Sequence, residues 1–423
     1  MRTGERAVGA TIALVAAVAL AGCAETSAGG SGGSGGDGVK FGAGKPDYQA
    51  AFENVEPIKL TTQSPAPKGA VTGKNVENYL NAVTDWSGGK ITFDVAYANA
   101  VAPPTEIDDA LVDGRLDLGQ VLPIYEPSDY PANAALVEAT FVSDQSPVAG
   151  TLQSNAWPNE VAFKTPEIQR EYEDQGIKLM VPQYNSGANV LFCREPRRDL
   201  AALRGMAAAS GGRAQSAEIE ALGGTAASVA YPELFESLQR GVVDCTVSSL
   251  TVGVLGGFVE TAPNITIDPA AGFAMAPGAM AISQSTWDSL PLVARQLMWD
   301  RLDVFMASNI RDKIWPNAVD AVRQAKAAGG SVGSFDPDAQ DAMQKANSEL
   351  LDGLGDKAIG DRDAFVRDIK SAAERWLDAV GEVDISADVS YDQFDSWYTG
   401  GKVDVDAYVA RVYEEIFLPQ RPS

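Results

Sequence analysis

The sequence predicts an α/β protein built from two units of like construction. Three observations predict it. Strand-like and helix-like stretches alternate, as in βαβ units whose parallel strands need a helical crossover. One pattern occurs twice, as "EIDDALVDGRLDL" from Glu106 and "ELFESLQRGVVDC" from Glu233, with Glu106, Leu111, Gly114 and Asp117 spaced like Glu233, Leu238, Gly241 and Asp244. The chain has 423 residues, 45% hydrophobic and 21% charged, which gives a globular composition and room for two or three domains.

The elements follow in order. "IKLTTQS", from Ile58, alternates like a strand. "GKNVENYLNAVTDWS" places Val76, Tyr79, Leu80 and Val83 on one helical face. "SGGK" breaks that helix, and "ITFDVAYA" is a second strand. Pro103 and Pro104 precede a short helix from about Glu106, Gly114 stops it, and "RLDLGQV" is the outgoing strand. Proline suits a first helical turn and glycine suits the end. The second copy repeats this grammar: "TAASVAY", then Pro232, then Leu234, Phe235 and Leu238 toward a sheet, then Gly241 and "VVDCTVS". Asp117 and Asp244 read as structural groups at the start of their strands. "GAMAISQSTWDSLP" is a strand running into a helix. The chain is then mostly helical from Leu290 to about Ala328, with Pro316 expected to kink or interrupt it. Helical pattern resumes from Asp336 to about Val380, and a further helical piece closes the chain.

The formal net charge is -24, which repels phosphate backbones and anionic lipid, so nucleic acid is not an expected partner. Histidine is absent, which excludes a Ser-His-Asp triad and any histidine-containing metal site within the chain. At the N-terminus, Arg2 and Arg6 precede the apolar run "AVGATIALVAAVALAGC". Its length and flanks fit an export signal rather than a membrane span. Its ending, "LAGC", resembles the lipobox of bacterial lipoproteins, in which the cysteine, here Cys23, is lipidated and becomes the mature N-terminus. The Gly/Ser-rich stretch from Ala24 to Gly38 reads as a flexible tether. Outside the cytoplasm Cys193 and Cys245 are either a disulfide or two separate buried thiols.

The ordered set "GGKITFDVAYANAV", "DDALVDGRLDLGQVLPIYEPSDYP", "DLAALRG", "ALGGTAASVAYPELFESLQRGVVDC" and "AISQSTWDSLP" resembles the solute-binding proteins of tripartite ATP-independent periplasmic (TRAP) transporters. The resemblance covers roughly residues 57–300. It implies a two-lobed periplasmic-binding-protein-like fold with hinge strands and a long bridging helix. It also implies a small organic solute held in the cleft, no catalysis, no cofactor or metal, and integral membrane transporter subunits as partners. The expected layout is a signal peptide at 1–22 and a lipidated cysteine with its tether at 23–56. One lobe takes 57–185 plus about 279–320, the other 186–278 plus about 321–385, and a C-terminal helical extension takes 386–423. The expected location is extracytoplasmic, lipid-anchored to the cell membrane. Alternatives are an ABC-type or sensor-associated binding lipoprotein, or a two-lobed extracellular enzyme, although no nucleophile-elbow or phosphate-loop motif occurs.

In open α/β sheets, ligands bind beyond the carboxyl ends of the strands. That rule and the resemblance point to Tyr231, which Pro232 biases toward an extended conformation. They also point to Tyr125 after the other parallel strand, to Ser248, and to Gln63 and Ser64 after the first strand. The family's usual carboxylate-clamping arginine falls on Ala209, and a second assisting arginine on about Ala188. Arg213 or Arg194 is then the candidate replacement. Failing both, the expected solute is neutral or amphiphilic, bound by aromatic faces and hydroxyls.

Overall fold

The computed structural model describes residues 38–355, 357–382 and 389–423. The signal-like run and Cys23 lie outside the described residues. The folded body begins before Pro57: the helix Lys45–Ala51 buries Tyr48, and Phe52 follows it into the core. The apolar residues of "YQAAF" outweigh the polar stretch before them, so the end of the expected 23–56 tether is part of the globule.

Two sheets organise the chain. The first has β1 (Ile58–Ser64), β2 (Ile91–Tyr97), β3 (Leu118–Val121), β4 (Ile177–Tyr184) and β10 (Gly278–Ser283), in the order β2-β1-β3-β10-β4. The second has β5 (Asn189–Cys193), β6 (Ala207–Ser210), β7 (Thr225–Ser228), β8 (Cys245–Ser249), β9 (Asn264–Thr266) and β11 (Val332–Gly333), in the order β11-β9-β5-β8-β6-β7. The runs β2-β1-β3 and β7-β6-β8 are both parallel, and each has its middle strand first in the chain.

This equivalence accounts for the repeated sequence. Glu106 and Glu233 sit at the N-caps of the helices Ile107–Val112 and Leu234–Gln239. Leu111 and Leu238 are wholly buried under their sheets. Gly114 and Gly241 take φ values of 81° and 69°, the left-handed turn that favours glycine. Asp117 accepts from the Thr61 N–H at 2.7 Å and returns its own N–H to the Thr61 carbonyl at 2.9 Å. Asp244 does the same with Ala207, at 3.1 and 2.7 Å. Each aspartate therefore stitches its strand to the first strand of the same unit.

Among the described residues, three connections join the two sheets. The chain crosses from the first sheet to the second between Tyr184 and Asn189, and back between Thr266 and Gly278. The third is a continuous helical stretch, Leu302–Ser308, Asn309–Ile314 and Trp315–Ala327, whose middle part is a π-helical turn. Its first part packs on the helix Lys74–Trp86 of the first lobe, and its last part on the helix Leu250–Gly256 of the second. Pro316 comes one residue after the π turn and does not end the helix. Proline lacks the N–H that would close a regular turn there, and the wider turn absorbs that loss.

Cys193 and Cys245 face each other on β5 and β8 and are joined as a disulfide. The region set at about 321–385 divides between the lobes. The helix Pro337–Asp352 lies on Arg213–Ala221 of the second, whereas Arg362–Glu382 lies on Trp157–Lys164, which packs on β4 of the first. The C-terminal helices Tyr391–Trp397 and Asp406–Val412 lie along the two ends of the bridging helix. A buried carboxylate fastens the two ends of the body: Asp300 accepts from Tyr48, from Tyr413 at 2.8 Å and from Arg421 at 2.8 Å, and Arg421 also donates to the Val39 carbonyl. Among the described residues no helix is long and apolar enough to cross a membrane.

Candidate functional site

The carboxyl ends of β1, β3, β6, β7 and β8 converge on one cavity between the lobes, with about 1040 Å³ of free space, its open mouth included. Tyr125, Tyr184 and Tyr231 supply aromatic faces to it, and Ile124, Leu255 and Val252 supply apolar surface. Hydroxyls and amides punctuate this lining. Gln120 Nε2, Thr246 Oγ1 and Thr251 Oγ1 are buried there without a hydrogen-bond partner among the described residues. A cavity that is mostly apolar, with a few unmatched polar groups, has the make-up of a small-molecule site.

Tyr231 is held from the opposite lobe. Its hydroxyl accepts from Asn99 Nδ2 at 2.6 Å, and its backbone N–H donates to the Tyr125 hydroxyl at 3.1 Å. It opens a 3₁₀ turn, Tyr231–Glu233, closed by the Glu233 N–H on the Ala230 carbonyl. These bonds override the extended bias imposed by Pro232. Asn99 reaches Tyr231 from a strained loop: Ala98 and Asn99 both have left-handed backbones, with φ of 55° and 53°. Such a conformation is costly for alanine and persists where surrounding contacts impose it. Gln63 imposes it. Its Oε1 accepts from the Val101 and Ala102 N–H groups, both at 3.1 Å, and its Nε2 donates to the Ala102 carbonyl at 2.8 Å. Burial pushes the Tyr125 hydroxyl up to about 12 and raises Tyr231 as well, so both stay protonated donors at neutral pH.

The structure brings Tyr231, Tyr125, Ser248 and Gln63 together in the cavity wall. It does not bring Ser64, whose side chain is fully buried and accepts from the Ala66 N–H at 3.2 Å. Arg213 stands in a neighbouring groove and forks onto Glu138 of the first lobe, with Nε–Oε1 at 2.7 Å. It closes the lobes together from outside the cavity. Ala209 is wholly buried within β6, and neither it, Ala188 nor Arg194 lines the cavity. Where the second lobe meets the first at the cavity edge, Gly211 and Gly212 lie against Ile124, and a Cβ on Gly212 would come within 2.9 Å of Ile124 Cγ1.

Sequence reasoning missed Asn99, Gln120, Thr246, Thr251 and Lys313, all of which line the cavity. Asn99 lies just past β2, so the strand-end rule could have found it. Nothing local marks Lys313 among the many charges of its helix.

Two lobes, three connections and an enclosed amphiphilic cavity at the strand ends define a solute-binding protein. The model of bacterial extracellular solute-binding protein family 7 matches residues 63–357, and the chain belongs to that family. Solved structures share the fold. A marine-metagenome TRAP solute-binding protein specific for aromatic acids, in complex with metahydroxyphenylacetate, is 18% identical with a TM-score of 0.66, over 75% of this chain and 99% of that one. A TRAP solute-binding protein from Rhodoferax ferrireducens with copurified benzoate is 15% identical with a TM-score of 0.65, over 76% and 99%. The ectoine-binding protein of a TRAP transporter of Halomonas elongata is 16% identical with a TM-score of 0.64, over 75% and 99%.

Proposed function

We propose that this protein is an extracytoplasmic receptor that captures a small organic solute between its lobes and delivers it, unchanged, to a TRAP-type membrane transporter. The observation that carries this reading is the cavity itself: strand ends of both lobes meet there, and Tyr231 is gripped across it by Asn99 and Tyr125. Family membership and the ligands of the similar structures, small organic acids and ectoine, support it. Tyr231, Tyr125 and Ser248 contact the solute, and Gln63 holds the loop that carries Asn99. Cys23 carries the lipid anchor.

Mass spectrometry of the body, residues 39–423, under denaturing conditions tests the reading. A released small organic compound is expected to rebind to the stripped protein. At 100 times its Kd it adds about 2.7 kcal/mol of stability. Conversion of that compound by the protein would place the chain among enzymes. For the anchor, Cys23→Ala in the full chain is expected to release the protein from membranes or leave it unprocessed, and unaltered membrane retention would count against lipidation.

A further inference from the structure

We propose that Lys313 is the anion-holding residue of the cavity and that it selects a solute with one negative charge on an otherwise uncharged body. Lys313 lies on the π-helical turn of the bridging helix, far in sequence from both positions where the family arginines were expected. It is the one charged side chain among the described residues that line the cavity, and no acid lines it.

Lys313 is only 6% exposed, and no carboxylate forms an ion pair with it among the described residues. Its ammonium sits 5.2 Å from the centre of the Tyr184 ring, a cation–π contact that offsets only part of the lost hydration. Burial pushes the group down to about 8, which still leaves roughly nine in ten molecules charged at pH 7. An unpaired buried cation is costly, and it persists where a bound counter-charge completes it. The lining leaves the solute as the source of that counter-charge.

The backbone at this point is fixed by buried amides. Asn309, which opens the π turn, donates to the Asn155 side chain at 3.1 Å and to the Asn185 carbonyl in the lobe crossing at 2.7 Å, and accepts from Asn75 at 3.1 Å. The turn that presents Lys313 is thus bolted to the hinge. π-helical turns often sit at functional sites, because the extra residue redirects a side chain. A second carboxylate would be enclosed without a cation, so the arithmetic of charge favours monoanions over dianions.

This inference rests on the cavity being the solute site. The test separates the two. The body, residues 39–423, is titrated by calorimetry at pH 7 with monocarboxylates (benzoate, 3-hydroxybenzoate, pyroglutamate, orotate), their carboxamides, and the dianion phthalate. At least one monocarboxylate is expected to bind about tenfold or more tighter than its amide, and benzoate tighter than phthalate. Lys313→Met is expected to remove that preference and to melt no lower than the parent when unliganded, since it deletes an unpaired buried charge; Lys313→Arg is expected to retain the preference. Equal affinity for acid and amide, or an acid affinity unchanged in Lys313→Met, overturns the role of Lys313. Binding of amides alone overturns it too, while leaving the receptor reading intact. Binding of no compound in the panel overturns the inference; the receptor reading falls if the protein also copurifies with no small molecule, or converts the one it holds.

Discussion

The Tyr231 hydroxyl, carried by the second lobe, accepts a 2.6 Å hydrogen bond from Asn99 of the first, so one bond crosses the cavity mouth and couples closure to the aromatic wall. Tyr231→Phe keeps the ring and deletes this bond. A net hydrogen bond is worth about 0.5–1.5 kcal/mol, so solute affinity is expected to fall about twofold to tenfold. Small-angle scattering of the unliganded variant should show a larger radius of gyration. An unchanged radius and unchanged affinity would mean that the bond does not contribute to closure.

Arg213 and Glu138 form a further fastening between lobes. Arg213 is well exposed while Glu138 is not, at 69% and 8% of the side chain. Arg213→Ala leaves Glu138 enclosed without its partner and weakens the closed form by about 1 kcal/mol. Because Arg213 acts on closure and not on solute charge, the loss of affinity is expected to be the same for an acid and its amide. A loss confined to acids would return Arg213 to the role of clamp.

The disulfide links β5 to β8, the two neighbouring central strands of the second sheet. Oxidised protein unfolded without reductant is expected to present no free thiol at Cys193 or Cys245. Replacing both cysteines by serine should cost about 2–4 kcal/mol in denaturant unfolding. A variant with unaltered midpoint would show that the bond adds no stability.

Glu218 is fully buried in the helix Arg213–Ala221, and burial raises its carboxyl from the ordinary 4.5 to about 8, against a smaller opposing pull from the Ala274 N–H. The folded state therefore holds this proton more tightly than the unfolded state. Its contribution is full below about pH 4.5 and is lost as pH rises through about 8. Relative to Glu218→Gln, the parent is expected to lose a few kcal/mol of stability over that window. Parallel pH-stability curves for the two proteins would contradict it.

The repeated unit was legible because its signals are local. A helix entry, a buried leucine, a left-handed glycine and a strand-capping aspartate each occupy a fixed place in the sequence, and both copies fold by the same rules. The site was legible only where strand ends mark it. Gln63 and Ser64 show the limit: neighbours on a strand point to opposite faces, so one lines the cavity and the other is enclosed behind it. Arg213 was a candidate clamp, but at the start of its helix its direction depends on Glu138, which a different lobe supplies. Lys313 acquires its meaning from Tyr184 and from the amides around Asn309, contacts between segments more than a hundred residues apart.

The knot at Asp300 has a mechanical consequence. Val39 and Arg421, near opposite ends of the described body, are moored together beside Tyr48 and the helix Leu292–Asp300. Those elements pack against the helix Lys74–Trp86 of the first lobe. Both termini of the described body are therefore seated on the first lobe. That lobe is the plinth, and a single keystone carboxylate keeps both termini in place on it.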